Sequence, residues 1–277
     1  MKRILTIQDI SCVGKCSLTV ALPIISACGV ETAVLPTAVL SNHTAFSDFT
    51  FRDLTDDLEA ITNEWKRQQF SFDALYTGYL GSFRQLNIVK DIFKQFKTKD
   101  NFILVDPVMA DHGKLYKGFD EKFARSMTEL CKNADIIVPN LTEASFMLSI
   151  PYVGTNYDKT YIENVLKRLT NLGCQKAVLT GISFESGKLG VYGYDKEKDE
   201  YFSYYREHLP QTFHGTGDIF ASTLCGALSN NKTFDDALKI AVDFTVESIK
   251  KTIENENHNW YGVDFENTLP YLIDKLK

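Results

Sequence analysis

Short apolar runs that alternate with helical segments are the feature of this chain that most restricts its fold. The runs are long enough for buried strands and too short for helices, and segments with helical periodicity lie between them. In residues 83–97, for example, Leu86, Val89 and Phe96 recur on one face. This alternation predicts an α/β fold with a mostly parallel central sheet and helices on both faces. The predicted strands are residues 4–8, 33–40, 74–79, 102–105, 136–139 and 177–180.

The alternation changes its character after residue 187. Polar and apolar residues alternate over 188–194 and 200–206, on either side of the charged segment 195–199, which predicts an antiparallel hairpin. Two helices are predicted after it, over 219–228 and about 234–253. Because no repeat, low-complexity tract or flexible linker divides the chain, residues 1–277 are predicted to form a single domain.

Composition and charge exclude several classes of function. The 44% hydrophobic and 24% charged residues are typical of a water-soluble globular protein. With 36 acidic and 30 basic residues, the net charge of −6 argues against a broad nucleic-acid surface and against binding to an anionic membrane. No apolar run approaches membrane length and no signal peptide precedes the first strand, so a cytoplasmic location is expected.

The segment His214-Gly215-Thr216-Gly217-Asp218, directly before an apolar helix, is the strongest local signal. Its glycines let backbone N–H groups converge at a helix N-terminus, which makes an anion-binding nest. The carboxylate of Asp218 would repel a phosphate that is merely bound, but it could accept a proton from a hydroxyl that attacks a phosphoryl group. The alternative is that Asp218 only caps the helix, and the segment alone leaves both interpretations open.

Two other glycine-rich nucleotide-binding motifs do not match the residues of this chain. A dinucleotide fingerprint would need a third glycine at Phe220. A phosphate-binding P-loop that ends at Gly14 and Lys15 would need Ser or Thr at Cys16 and glycine at Asp9. Neither class of nucleotide site is therefore expected.

Acidic residues follow two of the predicted strands. Asp106 comes directly after residues 102–105, where it is suited to Mg²⁺ through water or phosphate oxygens. Asn140 follows residues 136–139, with Glu143 three residues later. Asn140 and Glu143 have the form of a capping box, which is a structural explanation for both. The carboxyl ends of parallel strands meet at one edge, so Asp106 and Glu143 also predict a metal–nucleotide crevice.

Three further residues lie where predicted strands end. Asp9 ends the first strand, Thr44 follows the second and Tyr79 ends the third. Tyr79 could stack on an aromatic ring, while Thr44 and Asp9 could form hydrogen bonds with its substituents. Each residue alone is more often a turn or packing residue, and only their shared position at strand ends predicts a small-molecule site.

Together these segments resemble the ribokinase superfamily and, within it, the pyridoxal kinases. The resemblance covers nearly the whole chain, and Ser41-Asn42-His43-Thr44 is its most specific part for pyridoxal. It implies a ribokinase-like three-layer fold, a small β-hairpin near the nucleotide site and ATP-dependent phosphorylation of the 5′-hydroxymethyl group of pyridoxal and related B6 vitamers. The matching segments, in chain order, are residues 37–44, 78–82, 106–116, 139–144, 179–180 and 215–218.

The resemblance also implies roles for residues. Asp218 would be the catalytic base and would contact the substrate, with Gly215, Thr216 and Gly217 as the anion hole over the γ-phosphate. Asp106 and Glu143 would organise Mg²⁺ and its waters. The residues implied in ATP binding are Asp106, Asn140, Glu143, Thr180, Gly215, Thr216 and Gly217.

For the substrate, the resemblance implies that Asp9, Thr44 and Tyr79 hold the pyridine ring. It further implies a homodimer and the use of a monovalent cation such as K⁺. No nucleic-acid or membrane partner is expected.

This chain departs from the pyridoxal kinase pattern at three positions. Many pyridoxal kinases carry Ser where Asp9 stands, and Ala110 and Val138 replace a usual Gly and Thr. Asp9 is similar to the residue of hydroxymethylpyrimidine kinases, which often carry Cys after Gly-Thr-Gly where this chain keeps Asp218. A hydroxymethylpyrimidine (phosphate) kinase, or an enzyme with both activities, is therefore the alternative. A non-catalytic carrier of vitamers or nucleotides is a remote alternative, because the chain keeps both the candidate base and the candidate metal-binding carboxylates.

Overall fold

A computed structural model describes all residues 1–277 and has the predicted α/β class, with a mostly parallel sheet and helices on both sides. None of the helices is both long and apolar enough to span a lipid bilayer. The strands are β1 (Arg3–Val13), β2 (Glu31–Asn42), β3 (Phe51–Asp53), β4 (Ala74–Thr77), β5 (Phe102–Val105), β6 (Ala110–Asp111), β7 (Lys114–Leu115), β8 (Ile136–Ile137), β9 (Lys176–Ile182), β10 (Lys188–Asp195) and β11 (Glu200–Glu207).

The helices begin at local capping signals. Ser82, Asp120 and Asp158 each accept a hydrogen bond from a backbone N–H in the first turn of the helix that follows. The helices are α1 (Leu18–Ala27), α2 (Thr55–Arg67), α3 (Phe83–Phe96), α4 (Glu121–Cys131), α5 (Leu141–Leu148), α6 (Lys159–Asn171), α7 (Thr216–Ser229), α8 (Phe234–Glu254), a 3₁₀ turn (Phe265–Thr268) and α9 (Leu269–Leu276).

The chain divides into two compact units. The first combines Met1–Gly78 with Leu209–Lys277, and the second is Tyr79–His208. In the first unit the strand order is β4-β1-β2-β3, with β1 parallel to both β2 and β4 and β3 antiparallel to β2. Helix α7 contacts α1, α8, β1 and β4, so the two parts of this unit share one core.

In the second unit the strand order is β11-β10-β9-β8-β5. Strands β5, β8 and β9 are parallel, and β10 pairs antiparallel with both β9 and β11. The predicted hairpin is therefore confirmed as β10–β11. Strands β6 and β7 form a separate short antiparallel ladder. That residues 1–277 act as one domain stays a prediction.

All six predicted strands form, but one boundary matters for the site. Strand β1 continues to Val13, because a register shift between Gln8 and Ile10 lets it go on pairing with β2. Asp9 therefore lies within β1 at this bulge, and the expectation that it ends the strand was wrong. Strands β4 and β8 end earlier than predicted, at Thr77 and Ile137.

Candidate active site

The start of α7 has the geometry expected of an anion nest. Gly215 precedes the helix with φ of 80°, in the left-handed region, and a Cβ there would lie 1.9 Å from the Lys15 carbonyl oxygen. No side chain caps this helix start by a hydrogen bond. The N–H groups of a first helical turn have no partner within the helix, so those of Thr216 and Gly217 suit an anion.

Asp218 is the third residue of α7, and its carboxylate contacts the loop that precedes α1. It accepts a hydrogen bond from the backbone N–H of Ser17, the residue that precedes α1. Burial and, to a smaller extent, the charge of Asp9 raise the pKa of Asp218 to about 7, against the opposing effect of the Ser17 hydrogen bond. Asp218 lies in the first turn of α7, where a carboxylate also interacts favourably with the helix N-terminus, so both interpretations of Asp218 stay open. A carboxyl group that titrates near neutral pH is suited to accept a proton.

Asp9 lies beside Asp218. Its side chain is 4% exposed and accepts a 3.1 Å hydrogen bond from the Ser11 hydroxyl. Burial raises the pKa of Asp9, while hydrogen bonds from the Ser17 and Ser11 side chains and the nearby His43 lower it. Ser17 thus donates its hydroxyl to Asp9 and its backbone N–H to Asp218. Two of the predicted site residues are brought together, and Ser17 is a connection that the sequence did not reveal.

His43 is a second residue that the sequence analysis did not single out, although it belongs to the Ser41–Thr44 segment. It is buried, whereas Thr44 is exposed. The Ala45 N–H donates to His43 Nδ1 at 3.2 Å, and Nε2 lies 2.8 Å from the Tyr261 carbonyl oxygen. A backbone N–H can only donate and a carbonyl can only accept, so the tautomer with hydrogen on Nε2 satisfies both contacts. The His43 ring lies 5.3 Å from that of His214, which leads into the α7 nest.

In the second unit, Glu143 joins the start of α5 to the turn after β5. Its Oε2 accepts the Asn140 N–H at 2.9 Å and its Oε1 accepts the Met109 N–H at 3.2 Å. Asn140 in turn accepts the Glu143 N–H, which completes the predicted capping box. Burial raises the pKa of Glu143, and although backbone N–H bonds from Asn140, Met109 and Ala110 oppose that rise, the pKa remains at about 8.

Three of the residues implied in ATP binding are neighbours in this unit. Asn140 forms an isolated parallel bridge with Thr180, and the Thr180 N–H donates to the Pro139 carbonyl at 3.0 Å. The Asn140 amide also donates to the Ala110 carbonyl at 2.9 Å. Asn140, Glu143 and Thr180 therefore form one cluster where β8 and β9 lie side by side.

Asp106 and Glu143 fit Mg²⁺ only together with a phosphate ligand. Asp106 follows β5 directly and is 7% exposed. No group of three or more His, Cys, Asp or Glu side chains is placed to hold a metal ion. Mg²⁺ commonly binds one or two carboxylates, keeps several waters and takes its other ligands from a nucleotide. Each Glu143 oxygen already accepts an N–H, so its remaining lone pairs suit a metal-bound water.

Tyr79 lies in the second unit as part of an aromatic stack. Its ring is 5.6 Å from that of Phe119, with 29° between the planes, and Phe119 stacks on Phe123 at 3.9 Å. Phe119 thus fixes the plane of the Tyr79 ring. No motif pointed to Phe119, which precedes α4 in an irregular segment.

Comparison with known proteins places the chain among small-molecule kinases. Residues 22–262 match the sequence profile of the family described as phosphomethylpyrimidine kinase. A candidate phosphomethylpyrimidine kinase of Bacteroides thetaiotaomicron, in a crystal form with pyridoxal, is 39% identical with a TM-score of 0.93 over 98% of this chain and 95% of its own. Pyridoxal kinase of Lactobacillus plantarum is 29% identical with a TM-score of 0.90 over 99% and 97%. Pyridoxal kinase of Dictyostelium discoideum is 25% identical over 93% of this chain and 87% of its own.

Proposed function

Because this chain belongs to the phosphomethylpyrimidine kinase family, we propose that it transfers the γ-phosphoryl group of ATP to the 5′-hydroxymethyl group of pyridoxal and related B6 vitamers. The observation that carries the proposal is Asp218, a carboxyl group with a pKa of about 7 in the first turn of α7, directly after the Gly215–Gly217 nest. This pairs a proton acceptor with donors for a phosphoryl group, as alcohol phosphorylation requires.

In this mechanism Asp218 accepts the hydroxymethyl proton as the alcohol oxygen attacks the γ-phosphorus and the bond to the β-phosphate oxygen breaks. The N–H groups of Gly215, Thr216 and Gly217 stabilise the charge on the transferring group. Ser17 holds the Asp218 carboxylate through its N–H, which fixes the direction from which the proton is taken.

The second unit supplies the nucleotide contacts in this proposal. Asn140 and Thr180 would contact ATP, while Asp106 and Glu143 are the residues that would hold Mg²⁺. The bound ion would neutralise phosphate charge during transfer. The capping box that Glu143 shares with Asn140 keeps this carboxylate in place, so its structural and its proposed functional roles are compatible.

The choice of pyridoxal as the substrate has two supports. The Bacteroides relative was crystallised with pyridoxal, and the chain carries the Ser41–Thr44 segment. We propose that Asp9, Thr44 and Tyr79 bind the ring. The alternative substrate, a hydroxymethylpyrimidine, is favoured by the description of the matching family and by the buried carboxylate of Asp9, which could accept from an amino group.

Side-by-side assays test the proposal. Formation of phosphorylated product should be measured with Mg-ATP and either pyridoxal or hydroxymethylpyrimidine at matched sub-saturating concentrations. We expect a large kcat/KM advantage for pyridoxal. A preference for the pyrimidine would assign the chain to the alternative, and no turnover of either would reject the kinase proposal.

The pH dependence of kcat/KM should follow the ionisation of Asp218. Only the ionised carboxylate accepts a proton, so kcat/KM for pyridoxal should rise with pH along a limb with an apparent pKa of about 7. Asp9→Asn should move that limb to lower pH, because the charge of Asp9 raises the pKa of Asp218. A limb that stays in place in Asp9→Asn would belong to the substrate or to another group.

Tyr79→Ala should raise the KM for pyridoxal more than the KM for ATP, because Tyr79 is proposed to contact the vitamer ring and not the nucleotide. Phe119→Leu is the companion variant, since it disturbs the plane of the Tyr79 ring and keeps the phenol. It should raise the same KM to a smaller extent. An equal rise in both KM values would indicate a general folding defect instead.

We further propose that residues 1–277 act as one domain, that the chain forms a homodimer in the cytoplasm and that K⁺ or another monovalent cation assists transfer. The family resemblance supports these points. Sedimentation and activity in K⁺ against Na⁺ would test them.

A further inference from the structure

The loop that precedes α1 is conformationally strained where it meets Asp218. Gly14 has φ of 113°, which glycine adopts without strain, whereas Ser17 carries a side chain and has φ of 54°, in the left-handed region. Such conformations persist only where surrounding contacts determine them. The N–H that reaches Asp218 belongs to Ser17 itself, so whatever holds this loop also holds the proposed base.

Lys15 anchors the loop from its other side. Its ammonium group bonds Asp264 Oδ1 at 2.9 Å and Glu266 Oε2 at 2.7 Å, and its side chain is only 18% exposed. A Cβ on Gly262 would come within 2.4 Å of Lys15 Cβ, so the stem lies directly against that backbone. The Lys15 carbonyl oxygen lies against Gly215, at the start of α7.

Asp264 is itself fixed in place. Its Oδ2 accepts from the Asn255 amide at 3.0 Å, and its backbone N–H donates to the Thr252 hydroxyl at 2.8 Å. Both partners belong to the end of α8. A chain of contacts therefore runs from α8 through Asp264 and Lys15 to the loop before α1.

We propose that Lys15 is a positioning residue, whose ion pairs with Asp264 and Glu266 hold the 14–17 loop so that the Ser17 N–H donates to Asp218. The ammonium group is bonded to Asp264 and Glu266, so its effect reaches Asp218 through the backbone. This inference rests on the proposed role of Asp218 as the base.

The charged and titratable groups around Asp218 make its titration a sensitive readout. Asp9 faces Asp218 from β1, and Cys16 faces it from the loop before α1. Burial and the carboxylates of Asp218 and Asp9 raise the pKa of the Cys16 thiol. Burial and the proximity of His43 lower the pKa of His214. A Lys15 variant leaves all of these groups in place. It should change only the hydrogen bond from Ser17, which lowers the pKa of Asp218.

The test is the titration of Asp218 in the ligand-free chain, followed by carbon-13 NMR of labelled aspartate and assigned by difference with Asp218→Asn. Lys15→Met should move the midpoint to higher pH and lower kcat/KM at pH 7 about 10-fold. Lys15→Arg should restore both. Asp264→Asn weakens the same ion pair from the other side and should move the midpoint in the same direction, which keeps the test open if Lys15→Met does not fold.

Lys2→Met is the matched control, because it removes an ion pair of 2.9 Å, with Asp73, in the same unit. It should leave the midpoint and kcat/KM unchanged. A folded Lys15→Met protein with the wild-type midpoint would overturn the inference. Wild-type protein that phosphorylates no substrate would reject the proposed function, while the titration would still decide whether Lys15 positions Asp218.

Discussion

Asp218→Asn should lower the turnover number with pyridoxal by about 10²–10⁴-fold, the usual range for removal of a general base. The carboxamide has the same shape and its oxygen can still accept the Ser17 N–H, so the loop before α1 should keep its conformation. ATP affinity, measured by calorimetry, should change little, because the nest donors belong to the backbone.

Thermal unfolding separates this loss from a folding defect. The pKa of Asp218 is raised in the folded state, so its protonated form stabilises the fold, and that contribution is lost as pH rises through about 7. At pH 8, Asp218→Asn should therefore be at least as stable as the wild type. Asp235→Asn, at the exposed start of α8, is the matched control and should leave turnover unchanged. Near-normal turnover in Asp218→Asn would remove Asp218 from the mechanism.

Gly215→Ala should reduce turnover by about 10²-fold, the effect of losing one well-placed backbone donor. The added Cβ would lie 1.9 Å from the Lys15 carbonyl oxygen, and φ is 80°. Either the start of α7 or the 14–17 loop must therefore move, and both hold groups that the proposed mechanism needs. The melting temperature should fall as well.

Gly29→Ala isolates the steric part of that effect. Gly29 has φ of 75°, but a Cβ there would meet nothing within 4 Å. It should cost only the left-handed penalty of about 1–2 kcal/mol in the free energy of unfolding, with unchanged turnover. Normal turnover in Gly215→Ala would mean that the nest does not face the transferring phosphoryl group.

The fold class could be predicted from the sequence because apolar runs and helical periodicity report burial directly. Strand β5, residues 102–105, was predicted with the bounds that it has. The capping box of Asn140 and Glu143 could also be predicted from the sequence, since both partners lie within one helical turn. Asp218 could be singled out because it follows two glycines, which allow backbone N–H groups to converge directly before an apolar helix; its role as the base stays a prediction.

The rest of the site depends on contacts between distant parts of the chain. The bulge that places Asp9 within β1 follows from pairing with β2, and an apolar pattern does not report register. Ser17 and Asp218 meet only in the folded unit, and Lys15 is separated from Asp264 by 249 residues. The ring contacts of His43 with His214 and of Phe119 with Tyr79 join residues far apart in the sequence, and no fixed spacing in the sequence predicts them.

The discontinuity of the first unit has a consequence for how the protein is made. Tyr79–His208 is one continuous stretch, whereas Met1–Gly78 shares its core with Leu209–Lys277, down to the 3.4 Å contact between the Ser222 and Tyr76 hydroxyls. During synthesis the second unit can fold while β1, β2 and β4 still lack α7 and α8. The proposed base and the loop before α1 are therefore assembled last, so a nascent chain carries the cluster proposed to contact the nucleotide before it has the proposed base in place.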